Sequence, residues 1–382
     1  MPIKAIYKLL ARNPVEYSHY LYSGSARLIR QLIRENNDRL DERGHAIVKD
    51  IIKRKHQLLP FTIFEAVYCA FFVYPFKQKH DPVMILGNWR SGTTFLHDLI
   101  ACDPNMDYVD AVMSYALPNF MFARKLIEAA SENAIVNSRP MDNVSFGMKS
   151  PAEETFGLAG GTRYSFHHLF SFPFNYEHYE KTLLLENLTV NQRSEWMTKY
   201  RNEIRKLSYK KDRRLLLKSP DITCKIRECI ELFPDSRYIY IYRDPYRVVR
   251  STVHMLTKTL NMASLQGMPP EEMIEDCAIS MSADLYKGYL NQRDLIPNGH
   301  LVEVKYEDLV SEPSEELKRI YESLGLPGYE EAAPHFKDYL DSLSDYQTNK
   351  FVIESRLKEK INKKLDFVFD AFGYEMIGGS VE

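Results

Sequence analysis

Cysteine is scarce in this chain, with five residues in 382: Cys69, Cys102, Cys224, Cys229 and Cys277. The number is odd, Cys224 and Cys229 are too far apart for a CxxC pair, and no cysteine spacing has a metal-ligand pattern. A disulfide framework and a structural metal centre are therefore not expected, and a reduced, cytoplasmic setting is. An excess of charge of one sign is also missing, since 50 Lys and Arg nearly balance 52 Asp and Glu. That balance argues against nucleic acid as a partner, while local basic clusters remain able to hold a small polyanion. The N-terminus has no continuous apolar core, so no secretory signal peptide is expected. Internal repeats and low-complexity tracts are absent.

Long apolar runs are nearly missing as well. The strongest, FTIFEAVYCAFFVYPF from Phe61 to Phe76, is short for a membrane span and carries Glu65. It is expected as a helix buried against the core. A peripheral membrane contact, or a lip for a lipid substrate, is the alternative. With 45% hydrophobic residues, the chain suffices for one large core or two smaller ones.

What is present begins with DPVMILGNWRSGTTFLHDLI, Asp81 to Ile100. An apolar run, Val83 to Leu86, meets Gly87, then Asn88 to Thr94, then the helix-like FLHDLI. This reads as strand, glycine loop and helix. Such a loop gathers backbone N–H groups at a helix N-terminus, where the macrodipole attracts an anion. Gly87-x4-Gly92 has the spacing of a nucleotide-phosphate loop, yet Thr93 stands where a Walker loop has lysine. The fixed cation is Arg90, inside the loop.

Residues 1–80 read as a helical N-terminal extension and residues 81–382 as one α/β domain. Three further strands follow: RRLLLKSP ending at Lys218, SRYIYIYRDP ending before Arg243-Asp244-Pro245, and HLVEVKYEDL. A polar helix is expected over Asn191 to Leu207, another from Pro245, and a third in SEPSEELKRIYESLGLPG, stopping near Gly325. Strands alternating with helices predict a central parallel sheet flanked by helices, a P-loop-like nucleotide-binding fold. The loops after Leu86, Leu217, Tyr242 and Lys305 would share the carboxyl edge, where such sheets bind ligands. Three of these strand ends bear cations: Arg90, Lys218 and Arg243. One shared polyanion site explains this better than three coincidences.

In these residues the chain resembles nucleotide-dependent sulfotransferases of the bacterial-type branch, over roughly Pro82 to Gly328. Those enzymes move a sulfuryl group from 3′-phosphoadenosine 5′-phosphosulfate to an acceptor. GNWRSGTTFLHDL is similar to their 5′-phosphosulfate loop, and RYIYIYRDPYRVVRS to their 3′-phosphate segment. LLLKSP and VEVKYEDLVSEPSEELKRIYESLGLPG are similar to their later strands. The resemblance implies that Arg90, Ser91, Gly92, Thr93 and Thr94 cradle the 5′-phosphate, Phe95 stacks on adenine, Arg243 and Ser251 bind the 3′-phosphate, and Tyr306 contacts adenine. It places Arg90 where the family's catalytic lysine sits, as an electrostatic stabiliser of developing charge. Arginine cannot release its proton near neutrality, so Lys218 is the next candidate at the transferred group.

The chain departs from small-molecule members at Pro220, where they carry a histidine base. Bacterial-type relatives are similar in KSPAEETFGL, which makes Glu153 the first candidate base and Glu154 the second. Burial would raise a carboxylate's pKa and improve its match to an alcohol proton. His167 and His168 are the alternatives. The implied activity is sulfuryl transfer to a hydroxyl of a small hydrophobic acceptor, such as a steroid, lipid alcohol or phenol, without a metal. The aromatic stretch Phe156 to Tyr179, with Phe120 and Phe122, is expected either to line the acceptor pocket or to build the core. A carbohydrate acceptor and a P-loop-type phosphoryl-transfer enzyme are the competing readings, and a module that only binds nucleotide is a third. The sequence does not set the oligomeric state.

Overall fold

The computed structural model describes residues 19–131, 147–343 and 353–378. Residues 1–18 of the expected N-terminal extension lie outside them. The sheet has five parallel strands in the order β2-β3-β1-β4-β5: β1 Val83–Leu86, β2 Met106–Tyr108, β3 Arg214–Lys218, β4 Arg237–Tyr242 and β5 Leu301–Lys305. Four of these are the strands read from the sequence. The fifth, β2, is a three-residue edge strand, too short to show a period.

The helices that matter here are α1 Ala26–Glu35, α2 Glu42–Tyr68, α3 Thr93–Ile100, α4 Ala111–Tyr115, α5 Phe120–Ser131, α6 Thr155–Gly161, α7 Val190–Leu207, α8 Pro245–Ala263, α9 Glu271–Leu290, α10 Tyr306–Ser311 and α11 Pro313–Leu324. Helices cover both faces of the sheet, so its central strands are apolar on both sides. Val83, Ile85, Ile239, Ile241, Val302 and Val304 face Leu96, Leu99, Leu317 and Ile320. The alternate residues Met84, Leu86, Leu217, Tyr238 and Tyr240 face Trp196, Tyr200 and Ile204. Each such large side chain contributes about 1.5–3 kcal/mol on burial. The long polar helix is α7, held at its start by Thr189 and Gln192 in a capping box.

Tyr20, Leu21 and residues of α1 and early α2 (Leu28, Ile29, Leu32, Val48, Ile51) share a core with Phe166, Leu169, Phe170, Phe172, Tyr179, Leu256 and Leu260. The aromatic stretch Phe156 to Tyr179 thus serves mainly the core rather than a pocket wall. Phe120 is also buried, but Phe122 faces outward.

The expectation of a buried Phe61–Phe76 helix is overturned. The segment forms the end of α2 and a wide turn, Cys69–Val73, and most of its apolar side chains are exposed. Only the stripe Glu65, Cys69 and Val73 is buried. Glu65 turns inward because it accepts from Met121 N (3.3 Å) and Phe122 N (3.1 Å) at the start of α5 and pairs with Lys206 of α7 at 2.5 Å.

Candidate functional site

The carboxyl edge of β1 is shaped by two glycines. Gly87 has φ +145°, and a Cβ there would lie 2.4 Å from the Ile241 carbonyl oxygen; Gly92 has φ +105°, and a Cβ there would lie 2.3 Å from Tyr306 Cδ2. No L side chain fits either position, so the loop passes directly beside β4 and under the Tyr306 ring. Thr223 Oγ1 accepts from Gly87 N (2.9 Å) and donates to Gly87 O (3.2 Å). Ser91 Oγ donates to Asn88 O at 2.9 Å. Arg90 itself sits at φ +71°, a left-handed conformation that costs roughly 1–2 kcal/mol outside glycine. The fold maintains this strain in the loop at the start of α3.

Arg90 Nε donates to Ser251 Oγ, on α8, at 2.9 Å. The loop after β1 and the helix after β4 therefore meet at these two side chains. Arg243 lies with its guanidinium 4.0 Å over the Tyr306 ring. Its Nε is buried and has no hydrogen-bond partner. Burial pulls the Arg243 pKa down first; Tyr306 and Glu307 oppose this, and Arg247 and Arg90 add to it by repulsion. The guanidinium remains charged. His254 is lowered as well, by burial and then by Lys258, Arg250 and Arg90. An unsatisfied buried donor among mutually repelling cations is a place that an anion would relieve.

Beside it lies a second cluster. Lys218, at the end of β3 and 3% exposed, has its Nζ 2.6 Å from Glu153 Oε1 and 3.5 Å from Thr94 Oγ1. Glu153 Oε2 is buried without a hydrogen bond and lies 3.8 Å from His167 Nε2. Burial alone would push the Glu153 pKa up. The Lys218 ammonium and His167 outweigh it and hold the carboxyl down at about 2. The upward shift expected from burial is thus reversed by a neighbour 65 residues away in sequence. His167 is fully buried, neither ring nitrogen has a hydrogen-bond partner, and Phe156 meets it edge-on at 4.5 Å.

The other two candidate bases point elsewhere. Glu154 turns into the core, where Tyr200 Oη (3.1 Å) and Ser219 Oγ (2.8 Å) donate to it. Burial, with Asp221 and Glu153 nearby, pushes its pKa up to about 7 despite the Ser219 bond. His168 Nε2 lies 2.9 Å from Thr162 O and its Nδ1 3.2 Å from Tyr20 Oη. Burial pushes its pKa down to about 3, so it is a neutral packing histidine at ordinary pH. Pro220 opens the short turn Pro220–Cys224, which carries Thr223 and Asp221, the latter paired with the buried Lys225 just after it at 2.9 Å.

The structure therefore brings together Arg90, Ser91, Gly92, Thr93, Thr94, Ser251, Arg243 and Tyr306 around one loop, with Lys218, Glu153 and His167 alongside. Phe95 lies on α3, half-buried against the sheet core. Sequence reasoning missed Thr223, whose grip on Gly87 has no local signal. The four-residue spacing of Asp221 and Lys225 was a readable one. Among the described residues, no group of three or more His, Cys, Asp or Glu is placed to hold a metal ion.

Comparison with known proteins identifies the family. Residues 82–331 match the profile of the sulfotransferase family. The chain is 28% identical to omega-hydroxy-beta-dihydromenaquinone-9 sulfotransferase Stf3 of Mycobacterium tuberculosis and of Mycobacterium bovis over 294 residues, covering 77% of this chain and 75% of the relative. A flavonol sulfotransferase-like protein of Flaveria bidentis is 35% identical over 96 residues, 24% of this chain and 30% of that one. Among solved structures, the fold is similar to sulfotransferase STF9 of Mycobacterium avium, with a TM-score of 0.72, 16% identity and 98% of each chain covered. Sulfotransferase STF1 of M. tuberculosis gives a TM-score of 0.57 at 16% identity, over 85% of this chain and 87% of that one. With nearly two thirds of its length matched to the family and the glycine loop after β1 inside the matched span, the chain belongs to the sulfotransferase family, in its bacterial-type branch.

Proposed function

We propose that this enzyme transfers a sulfuryl group from 3′-phosphoadenosine 5′-phosphosulfate to the hydroxyl of a hydrophobic alcohol, in the first instance a lipid alcohol. The observation that carries the reading is the position of Lys218 between Thr94 of the anion loop and Glu153. The donor supplies an activated sulfuryl group: the acceptor O–S bond forms, the phosphosulfate S–O bond breaks, and the acceptor proton passes to the protein. The residues fit such a donor. The unsatisfied Arg243 Nε and the neighbouring Ser251 suit its 3′-phosphate, while the Gly87–Thr94 backbone, Thr93, Thr94 and Arg90 suit the 5′-phosphosulfate. Tyr306, packed between Gly92 and the Arg243 guanidinium, suits an edge contact with the adenine.

In this reading Arg90 and Lys218 stabilise charge that develops on the leaving oxygen. Glu153 receives the acceptor proton. Its low pKa is set by Lys218, so when that ammonium is drawn towards another anion the burial of Glu153 is no longer offset. The carboxylate then becomes a stronger base where one is needed. His167 Nε2 lies 3.8 Å from the free carboxylate oxygen, beyond hydrogen-bond distance. The relative Stf3 is named for a hydroxylated menaquinone, which favours a lipid acceptor over a sugar. An acceptor screen with sulfur-labelled donor, covering lipid alcohols, sterols, phenols and sugars, tests this. Label on lipid alcohols supports the proposal, and label on sugars alone contradicts it.

A further inference from the structure

We propose that the outward face of α2 and its wide turn, Leu59 to Phe72, docks the protein on a membrane surface carrying anionic headgroups. This stretch is amphipathic in the reverse of the usual sense. Its one ionisable carboxylate, Glu65, faces the protein, on the buried stripe with Cys69 and Val73. Leu59, Ile63, Phe64, Val67, Phe71 and Phe72 face solvent, with Phe71 72% and Phe72 59% exposed. Phe122 of α5 extends the patch, edge-on to Phe64 at 4.8 Å. Every exposed residue from Leu59 to Phe72 is apolar. An isolated exposed side chain needs no explanation, but a continuous patch of this kind marks an interaction surface.

Charge selects the occupant. Exposed Lys53 and His56 precede the patch, and exposed Lys77, Lys79 and His80 follow it. Lys79 also pairs with Asp212 at 2.5 Å. Between positions 51 and 80 the only acidic residue is the buried Glu65. An apolar strip bounded by basic residues matches an anionic lipid surface, with rings in the acyl region and cations among the headgroups. The helix is apolar and long enough by composition to cross a bilayer. However, its Glu65 side is fixed to α5 and α7, so it lies along the interface. A relay of contacts links the helix of the patch to the site. Thr62 donates to Asn119 (2.6 Å), Asn119 N donates to Ala116 O (2.8 Å), and neighbouring Tyr115 stacks on Phe156 at 5.3 Å, which in turn meets His167. Delivery of a bilayer-resident acceptor along this side rests on the proposed acceptor class; the docking face does not.

The test is co-sedimentation of the full chain with vesicles of phosphatidylcholine, with and without phosphatidylglycerol, in the absence of donor and acceptor. The expected result is binding to the anionic vesicles that weakens with salt and falls about tenfold to a hundredfold in the double variant F71S/F72S. The variant should keep the wild-type unfolding midpoint, because both rings are exposed. Absence of vesicle binding, equal binding to neutral vesicles, or unchanged binding by the double variant overturns the proposal. A concentration-dependent dimer abolished by the double variant, without vesicle binding, also overturns it and assigns the face to a second copy. Failure here leaves sulfuryl transfer untouched, since neither substrate is present in the measurement.

Discussion

Arg90 Nε donates to Ser251 Oγ at 2.9 Å, across 161 positions of sequence. This bond joins the loop after β1 to the helix after β4, and so fixes the spacing between the two halves of the proposed nucleotide site. Ser251→Ala removes the acceptor and leaves Arg90 in its left-handed backbone conformation. We expect weaker binding of adenosine 3′,5′-bisphosphate by about tenfold, the scale of one hydrogen bond to a charged group. Calorimetric titration checks it; unchanged affinity contradicts the coupling.

Arg243 should read the 3′-phosphate specifically. Arg243→Ala is expected to weaken adenosine 3′,5′-bisphosphate by about tenfold to a hundredfold and adenosine 5′-monophosphate little. Equal losses for the two ligands would sink the assignment.

Turnover is expected to depend on the pair Lys218 and Glu153. Glu153→Gln should lower turnover by about 10²–10⁴-fold with nucleotide affinity intact. Lys218→Met should lower turnover and raise the Glu153 pKa from about 2, because burial remains and its main opposing charge is gone. Carboxyl-carbon NMR of the variant reads that shift, and an unmoved signal contradicts the role given to Lys218.

Glu154 gives a stability signature of its own. Burial pushes its pKa from the ordinary 4.5 to about 7, so between these values the folded chain holds a proton that the unfolded chain releases. Its contribution therefore makes stability fall as pH rises from 4.5 to about 7. Glu154→Gln should remove roughly 3 kcal/mol of that decline, read as denaturation midpoints at the two ends of the window. A wild-type slope retained in the variant excludes Glu154 as its source.

Glu65 holds three partners, Met121 N, Phe122 N and Lys206. Glu65→Ala leaves Lys206 buried without its carboxylate, which is expected to cost about 3–5 kcal/mol. Chemical denaturation measures it. A loss under 1 kcal/mol, the scale of a surface pair, contradicts a buried one.

The fold was legible where the sequence carries its own period. Four strands and the helix ending at Gly325 follow from apolar runs, Pro starts and a left-handed Gly stop. The glycine loop was legible from the Gly87-x4-Gly92 spacing after an apolar run, and the two glycines are needed because a backbone oxygen and a ring leave no room for Cβ. Side-chain partners far apart in sequence were not. Nothing local in KSPAEETFGL says that Glu153 faces Lys218 while Glu154 faces Tyr200, or that His167 lines the site while His168 bonds Thr162 and Tyr20. The outward turn of Phe61–Phe76 was likewise hidden: apolar residues there cover most of the helix circumference, and Glu65 decides the inner side only through α5 and α7.

The most direct measurement is transfer of sulfur label from 3′-phosphoadenosine 5′-phosphosulfate to a lipid alcohol, run in a metal chelator beside the same reaction with labelled nucleoside triphosphate. Labelled lipid sulfate is expected with the sulfuryl donor, with a marked loss in Lys218→Met and no transfer from the triphosphate. Label that stays on the nucleotide with every hydroxyl acceptor, or phosphoryl transfer from the triphosphate, would contradict this expectation.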